Sequence, residues 1–173
     1  MPYAIELYLD KKGANAVEQI HLALRENGIT VDWGTKPHVS LCIYEDLPIG
    51  EFEAALKLFA GEIAPFEVTF SNVDAFQTER PVVFLAPKVT PELAAVHRKF
   101  HDYFRQYSDT AWHYYKPGVW IPHCTLGMNL SQDMYLRAME ILKGVQLPIK
   151  ATFESVGILK FHPNEQLSVF DLG

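Results

Sequence analysis

Pro37-His38-Val39-Ser40-Leu41 and Pro122-His123-Cys124-Thr125-Leu126 are two copies of one pattern, Pro-His-x-[Ser/Thr]-Leu, set 85 residues apart. In each copy the residues from the histidine onward read as a short strand, whose successive side chains point to opposite faces. His38 and Ser40 therefore share one face, and Val39 and Leu41 the other. His123 and Thr125 stand in the same way against Cys124 and Leu126. Each copy packs an aliphatic face inward and presents an imidazole beside a hydroxyl.

Outward from these motifs the repetition continues. Thr69-Phe70-Ser71-Asn72-Val73 matches Thr152-Phe153-Glu154-Ser155-Val156 at an offset of 83, and Val83-Phe84 matches Val169-Phe170 at 86. Three matches in one order at nearly one offset mark an internal repeat. The alternation of Tyr3, Ile5, Leu7 and Leu9 predicts a first strand, closed by a loop at Asp10-Lys11-Lys12-Gly13. Helical spacing of Val17, Ile20 and Leu24 predicts a helix over 14–27, stopped at Asn27-Gly28. A loop at Trp33-Gly34-Thr35-Lys36-Pro37 then leads to the strand from His38 to Tyr44. A helix near 50–60 and strands near 66–76 and 82–86 complete the first half.

The second half repeats the order. Leu93, Val96, Phe100, Phe104 and Tyr107 form an apolar stripe that predicts a helix over about 91–107. A loop over 108–122, a strand over 123–128, a helix near 131–143 and strands near 150–161 and 165–171 follow. The expected fold is an α+β, bilobal single domain spanning 1–173. Two pseudo-twofold-related strand/helix repeats, with mainly antiparallel sheets, surround a central groove. The approximate lobes come from repeats at 38–87 and 123–172, with 1–37 and 88–122 completing them.

Length and composition agree with one domain that has a real core. Of 173 residues, 49% are hydrophobic and 21% charged, the balance of a globular chain rather than a disordered one. No apolar run approaches the roughly 20 residues that span a bilayer, and MPYAIELYLD lacks the signature of a secretory signal. No membrane association and a cytoplasmic location are the expectations, with a monomer as the assembly. Cys42 and Cys124 sit in apolar strands, where cysteine usually serves as a small hydrophobe, and no disulfide is expected in that compartment. A formal net charge of −6 argues against extended nucleic-acid binding, which depends on clustered Lys and Arg. A small nucleotide or a short RNA terminus fits better as the partner.

A groove holding both histidines suits phosphodiester chemistry. One imidazole takes a proton from the attacking water or hydroxyl while the other protonates the leaving oxygen. Histidine, with an unperturbed pKa of roughly 6.5, can fill either role near neutral pH. Ser40 and Thr125 can donate hydrogen bonds to non-bridging phosphate oxygens. The scheme needs no metal and no cofactor. A single His-x-[Ser/Thr] among seven histidines would carry little weight; two, embedded in a repeat, carry much more.

These residues resemble the 2H phosphoesterase superfamily, which includes 2′-5′ RNA ligases and cyclic phosphodiesterases. The family is named for two His-x-[Thr/Ser] motifs, here His38-Val39-Ser40 and His123-Cys124-Thr125. Trp120-Ile121-Pro122-His123-Cys124-Thr125-Leu126 is similar to its aromatic-x-Pro-His-x-Thr-Leu form. Arg80-Pro81-Val82-Val83-Phe84-Leu85 resembles the strand between its motifs. The resemblance implies metal-independent opening of 2′,3′-cyclic phosphates or related cyclic nucleotide and RNA-end phosphodiesters. It implies that His38 and His123 are catalytic, and some members also join RNA ends through 2′,5′ bonds. The alternatives are such an end-joining ligase or a non-catalytic nucleotide-binding module. Ser40 stands where Thr is commoner, which keeps the hydroxyl donor.

Further candidates for substrate contact are Tyr44, read as lying on the His38 face, Tyr115 and Trp120 in the loop before the second motif, and the cations Arg80 and Lys116. Core packing is at least as good a reading for the aromatics, and for the two cations a solvated loop is the commoner one. His97 and His101, four apart on a helix, lack the Glu of a His-Glu-x-x-His motif, and a partly solvated helix face is the expectation for them rather than a metal.

Overall fold

The computed structural model describes residues 1–31 and 35–173. Trp33 and Gly34 of the expected loop lie outside the described residues. In chain order the elements are β1 (Tyr3–Leu9), α1 (Lys11–Glu26), β2 (His38–Tyr44), α2 (Ile49–Gly61), β3 (Phe66–Phe76), β4 (Val82–Pro87), α3 (Pro91–Tyr103), β5 (Cys124–Gly127), α4 (Gln132–Leu142), β6 (Ile149–Lys160) and β7 (Glu165–Asp171). The helix starts follow from their caps. Asp10, Thr90 and Ser131 each accept a hydrogen bond from the backbone N–H three residues on, satisfying a donor that the first helical turn leaves unpaired. Asp10 also accepts from Thr152 N–H, which ties the start of α1 to β6. Gly13 lies so close to Ala151 that a Cβ there would collide.

The helix expected to reach 107 ends at Tyr103, and its last apolar residues continue in a 3₁₀ turn over Arg105–Tyr107. Packing sets this break. Phe104 and Tyr107 both close on Phe52 of α2, with ring centroids 4.5 and 5.4 Å away.

All seven strands join one antiparallel sheet in the order β2-β1-β6-β3-β4-β5, with β7 on the far side of β6. The sheet is open, yet its two ends, β2 and β5, lie against each other. Helices α1 and α2 pack onto β6, and α4 onto β4. Their apolar faces and one face of the sheet form the main core, around Leu7, Val39, Leu41, Phe52, Phe100 and Phe153. A smaller cluster, Ala4, Ile43 and Leu159, packs apart from this core.

Bulges reveal how the halves correspond. Leu41 is the extra residue of β2 against β1, and Leu126 that of β5 against β4. Ser71 of β3 and Glu154 of β6 are a second such pair. Matching the bulges makes β1 the counterpart of β4, at an offset of 78, β2 of β5, and β3 of β6. The third strand of each repeat crosses over: β3 pairs with β4, and β6 with β1. β7 has no counterpart, so the match of Val83-Phe84 with Val169-Phe170 joins β4 to a strand outside the repeat.

Candidate active site

His38 opens β2, and His123 immediately precedes β5. The two imidazoles are anchored alike. Nδ1 of His38 lies 2.6 Å from Lys36 O, and Nδ1 of His123 lies 2.8 Å from Ile121 O. A carbonyl only accepts, so in each ring Nδ1 carries a proton. Ser40 pairs with Glu6, and Thr125 with Phe84, at corresponding points of the two lobes. This places each hydroxyl residue two positions from its histidine and on the same face.

The surroundings of the two rings differ. His123 packs between Phe76 and Phe84, with centroids 5.0 and 5.4 Å away, and Tyr115 stands 6.3 Å off. Burial lowers its pKa; the bond to Ile121 O opposes that, and the charge of His38 adds to it. His38 instead meets a carboxylate: its Nε2 is 3.2 Å from Oε1 of Glu6, which is 1% exposed. Oε2 of Glu6 accepts from Tyr8 Oη at 2.8 Å. Gln166 Oε1 of β7, 3.1 Å from the same Tyr8 Oη, is a second acceptor for that one proton. Lys36 Nζ lies 5.7 Å from the Tyr8 ring centroid. Burial and the Glu6 charge both raise the Tyr8 pKa, so the phenol remains protonated.

Tyr115 joins the two halves of the site. Its ring faces His123 on one side and packs with Ala4, Ile43 and Leu159 on the other. The Glu6 charge contributes to the rise in its pKa, after burial and Cys42. Trp120 is half-buried; its Nε1 donates to Ser40 O at 3.1 Å, fixing the loop before the second motif to the strand of the first.

Tyr44 is not on the His38 face. The bulge at Leu41 reverses the alternation of β2, so Cys42 and Tyr44 turn to the core side with Val39. Tyr44 is 1% exposed and edge-on to Phe52 at 5.6 Å, inside the core. Arg80 is exposed on the turn between β3 and β4, where its backbone bonds to Thr78. Lys116 is half-buried, and its charge is felt by Cys42 and His101.

His97 is buried, while His101 keeps part of its surface exposed beside Phe100. Nε2–H of His97 donates to Tyr115 O at 2.9 Å, and that of His101 to Leu41 O at 3.2 Å. His21 on α1 makes the mirrored bond to Thr125 O at 3.0 Å. Each repeat's first helix thus holds the motif strand of the other repeat. Among the described residues no group of three or more His, Cys, Asp or Glu side chains converges as a metal site.

Comparison with known proteins agrees with this architecture. The model of the 2′-5′ RNA ligase superfamily matches residues 9–165. The chain belongs to this superfamily. Membership of these 2H phosphoesterases supports an enzyme that acts on phosphodiesters, by phosphodiesterase or RNA ligase-type activity. Among solved structures similar to this member of the superfamily is TT0787 of Thermus thermophilus, at 15% identity and a TM-score of 0.67, covering 99% of this chain and 98% of the other. Escherichia coli LigT complexed with 3′-AMP follows at 17% and 0.60, covering 98% and 96%. Kluyveromyces marxianus Usb1 with uridine monophosphate is similar at 11% and 0.51, covering 99% and 96%. These likenesses show the superfamily fold. No curated protein matches the chain. Among the described residues of this superfamily member, no helix is long and apolar enough to cross a membrane.

Proposed function

We propose that the protein is a metal-independent phosphodiesterase that opens 2′,3′-cyclic phosphates, or related cyclic nucleotide or RNA-end phosphodiesters, with His38 and His123 as its acid–base pair. The observation that carries this reading is the matched anchoring of the two rings. Both Nδ1 atoms are tied to the carbonyl two residues back, leaving an Nε2 in each lobe for proton transfer. One Nε2 removes a proton from water as the water oxygen bonds to phosphorus. The bond from phosphorus to one ribose oxygen breaks, and the other Nε2 delivers a proton to that oxygen. A phosphomonoester and a ribose hydroxyl result.

Ser40 and Thr125 are the natural donors to the non-bridging oxygens, where negative charge gathers in the transition state. Tyr115, against His123, is the aromatic best placed to meet a base, with Trp120 behind it. Arg80 and Lys116 are the cations proposed for the outer phosphate or RNA end. The 3′-AMP and uridine monophosphate complexes of structurally similar proteins support a nucleotide-sized substrate, as does the acidic net charge of −6.

The test is incubation of the purified protein, in EDTA, with the four nucleoside 2′,3′-cyclic monophosphates and with a short RNA bearing a 2′,3′-cyclic end. Release of a monoester in EDTA is the expected result. Turnover that appears only on adding a divalent metal would contradict the two-histidine mechanism, and nucleotide binding without turnover would make the protein a binding module.

A further inference from the structure

We propose that Glu6 is a positioning residue that keeps His38 doubly protonated, making His38 the general acid and His123 the general base. This inference rests on the phosphodiesterase reading above, and it assigns the two roles within that site. The argument begins from the repeat. Glu6 and Phe84 are counterparts, offset by 78, and each pairs across the sheet with the hydroxyl residue of its motif, Ser40 or Thr125. The same point of the fold therefore offers a carboxylate to one histidine and a phenyl ring to the other. The backbone is symmetric here and the charge is not.

The hydrogen-bond inventory then fixes the protons. His38 Nδ1–H is committed to Lys36 O at 2.6 Å, and its Nε2 faces the Glu6 carboxylate at 3.2 Å. An ionised Glu6 gives this one ring two acceptors, which call for two ring protons, the imidazolium form. The 3.2 Å contact is longer than the usual charge-assisted hydrogen bond of about 2.7–2.9 Å. Glu6 thus acts chiefly through its charge, and the Nε2–H stays within reach of an incoming leaving oxygen. Among the described residues His123 has only Ile121 O as acceptor for Nδ1–H, with aromatic rings around it. A neutral ring with an accepting Nε2 fits that environment.

The carboxylate is itself held. Gln166 donates both its amide hydrogens, to Ile158 O and Ser168 O at 3.0 Å each, so its Oε1, 3.1 Å from Tyr8 Oη, is a second and more distant acceptor for the one phenolic proton, which goes to Glu6 at 2.8 Å. Tyr8 Oη bonds Oε2 of Glu6, turning Oε1 toward His38. Gly157, the cross-strand partner of Glu6, makes room for this: a Cβ there would lie 2.7 Å from Tyr8 Cε2 and 3.1 Å from Gln166 Nε2. The titratable groups around the pair are Tyr8, Lys36, Tyr115 and His123. In turnover His123 Nε2 takes the proton of water, and His38 Nε2 gives its proton to the ribose oxygen as the P–O bond breaks. The histidines end with exchanged protonation states, which solvent restores.

The test combines imidazole ¹⁵N spectra of the whole protein at pH 7 with kinetics of Glu6→Gln, an isosteric change that removes the charge. His38→Asn assigns the His38 signals. In the wild type both His38 nitrogens are expected to be protonated, and in Glu6→Gln the Nε2 is expected to lose its proton. A wild-type His38 with a bare Nε2 would overturn the proposal even if Glu6→Gln failed to fold. So would an unchanged His38 spectrum in a folded variant. In turnover, Glu6→Gln should lose about 10–100-fold in kcat on a 2′,3′-cyclic nucleotide, with KM held, less than the roughly 10²–10⁴-fold that a general acid itself contributes. A 4-nitrophenyl ester of a nucleotide has a leaving group that needs no proton, and its turnover should persist. Equal loss on both substrates would overturn the acid assignment. If the wild type opens no cyclic phosphate, the phosphodiesterase reading fails, and the spectra still decide the role of Glu6.

Discussion

The imidazole of His97 lies flat against the indole of Trp120, with ring centroids 3.7 Å apart and planes 3° from parallel. This stack, the His97 bond to Tyr115 O and the Trp120 bond to Ser40 O tie α3, the loop before the second motif and β2 together. Trp120→Ala is expected to destabilise the protein by about 2–4 kcal/mol, below the upper range for aromatic truncation because the ring is only half-buried. Trp120→Phe keeps a stacked ring and loses one hydrogen bond, a cost of about 1 kcal/mol. Urea unfolding of the two variants measures both.

Acid should loosen the same contact. Burial, aided by the neighbouring His101, pushes His97 down to about 4, and His101 and His123 are lowered too. The unfolded chain takes up a proton at each of these sites near pH 6.5, before the folded one does. The stability they contribute is present above that value and is lost as pH falls toward 4. Melting temperature should therefore drop steeply from pH 6.5 to 4. In His97→Phe, which stacks but does not charge, the drop should be shallower.

Cys42 and Cys124 are both buried and unbridged, and burial pushes the Cys42 thiol up to about 12. Since the thiolate is the reactive form, the native protein should resist a thiol reagent such as dithionitrobenzoate. Both cysteines should react once the chain is unfolded in guanidinium, a difference that absorbance follows directly.

The bulge at Leu41 separates two tyrosines that the sequence leaves alike. Tyr44 lies in the core and Tyr115 against His123. Tyr44→Phe should leave KM for a cyclic nucleotide unchanged, whereas Tyr115→Ala should raise it by about 5–100-fold, the loss of one base–aromatic stack. Steady-state kinetics of the pair, with circular dichroism to check folding, makes the comparison.

Much of this architecture is legible from residues alone, because hydrophobic period and repetition are local signals. The strand from His38 to Tyr44, the helices that begin after Thr90 and Ser131, and the pairing of the two histidine motifs all follow from them, whereas α1 begins at Lys11, inside the stretch expected as a loop, where Asp10 caps it. Register is not local. A single extra residue at Leu41 moves Tyr44 to the opposite face, and no periodicity announces it. Glu6 reads as the polar half of an alternating strand, and only the β1–β2 pairing brings it to His38. His21, His97 and His101 look ordinary for a related reason. Their acceptors, Thr125, Tyr115 and Leu41, are backbone carbonyls far along the chain, and any residue type supplies a carbonyl.

The account stands on His38 and His123 being two halves of one acid–base site. The most direct measurement is kcat/KM for a nucleoside 2′,3′-cyclic monophosphate, at pH 7 in EDTA, for His38→Ala, His123→Ala and the double variant. Each single change should lower it by about 10²–10⁴-fold. The double variant should be little worse than the poorer single one, because residues that act as a unit are lost together. A folded single variant that keeps wild-type turnover would contradict the account.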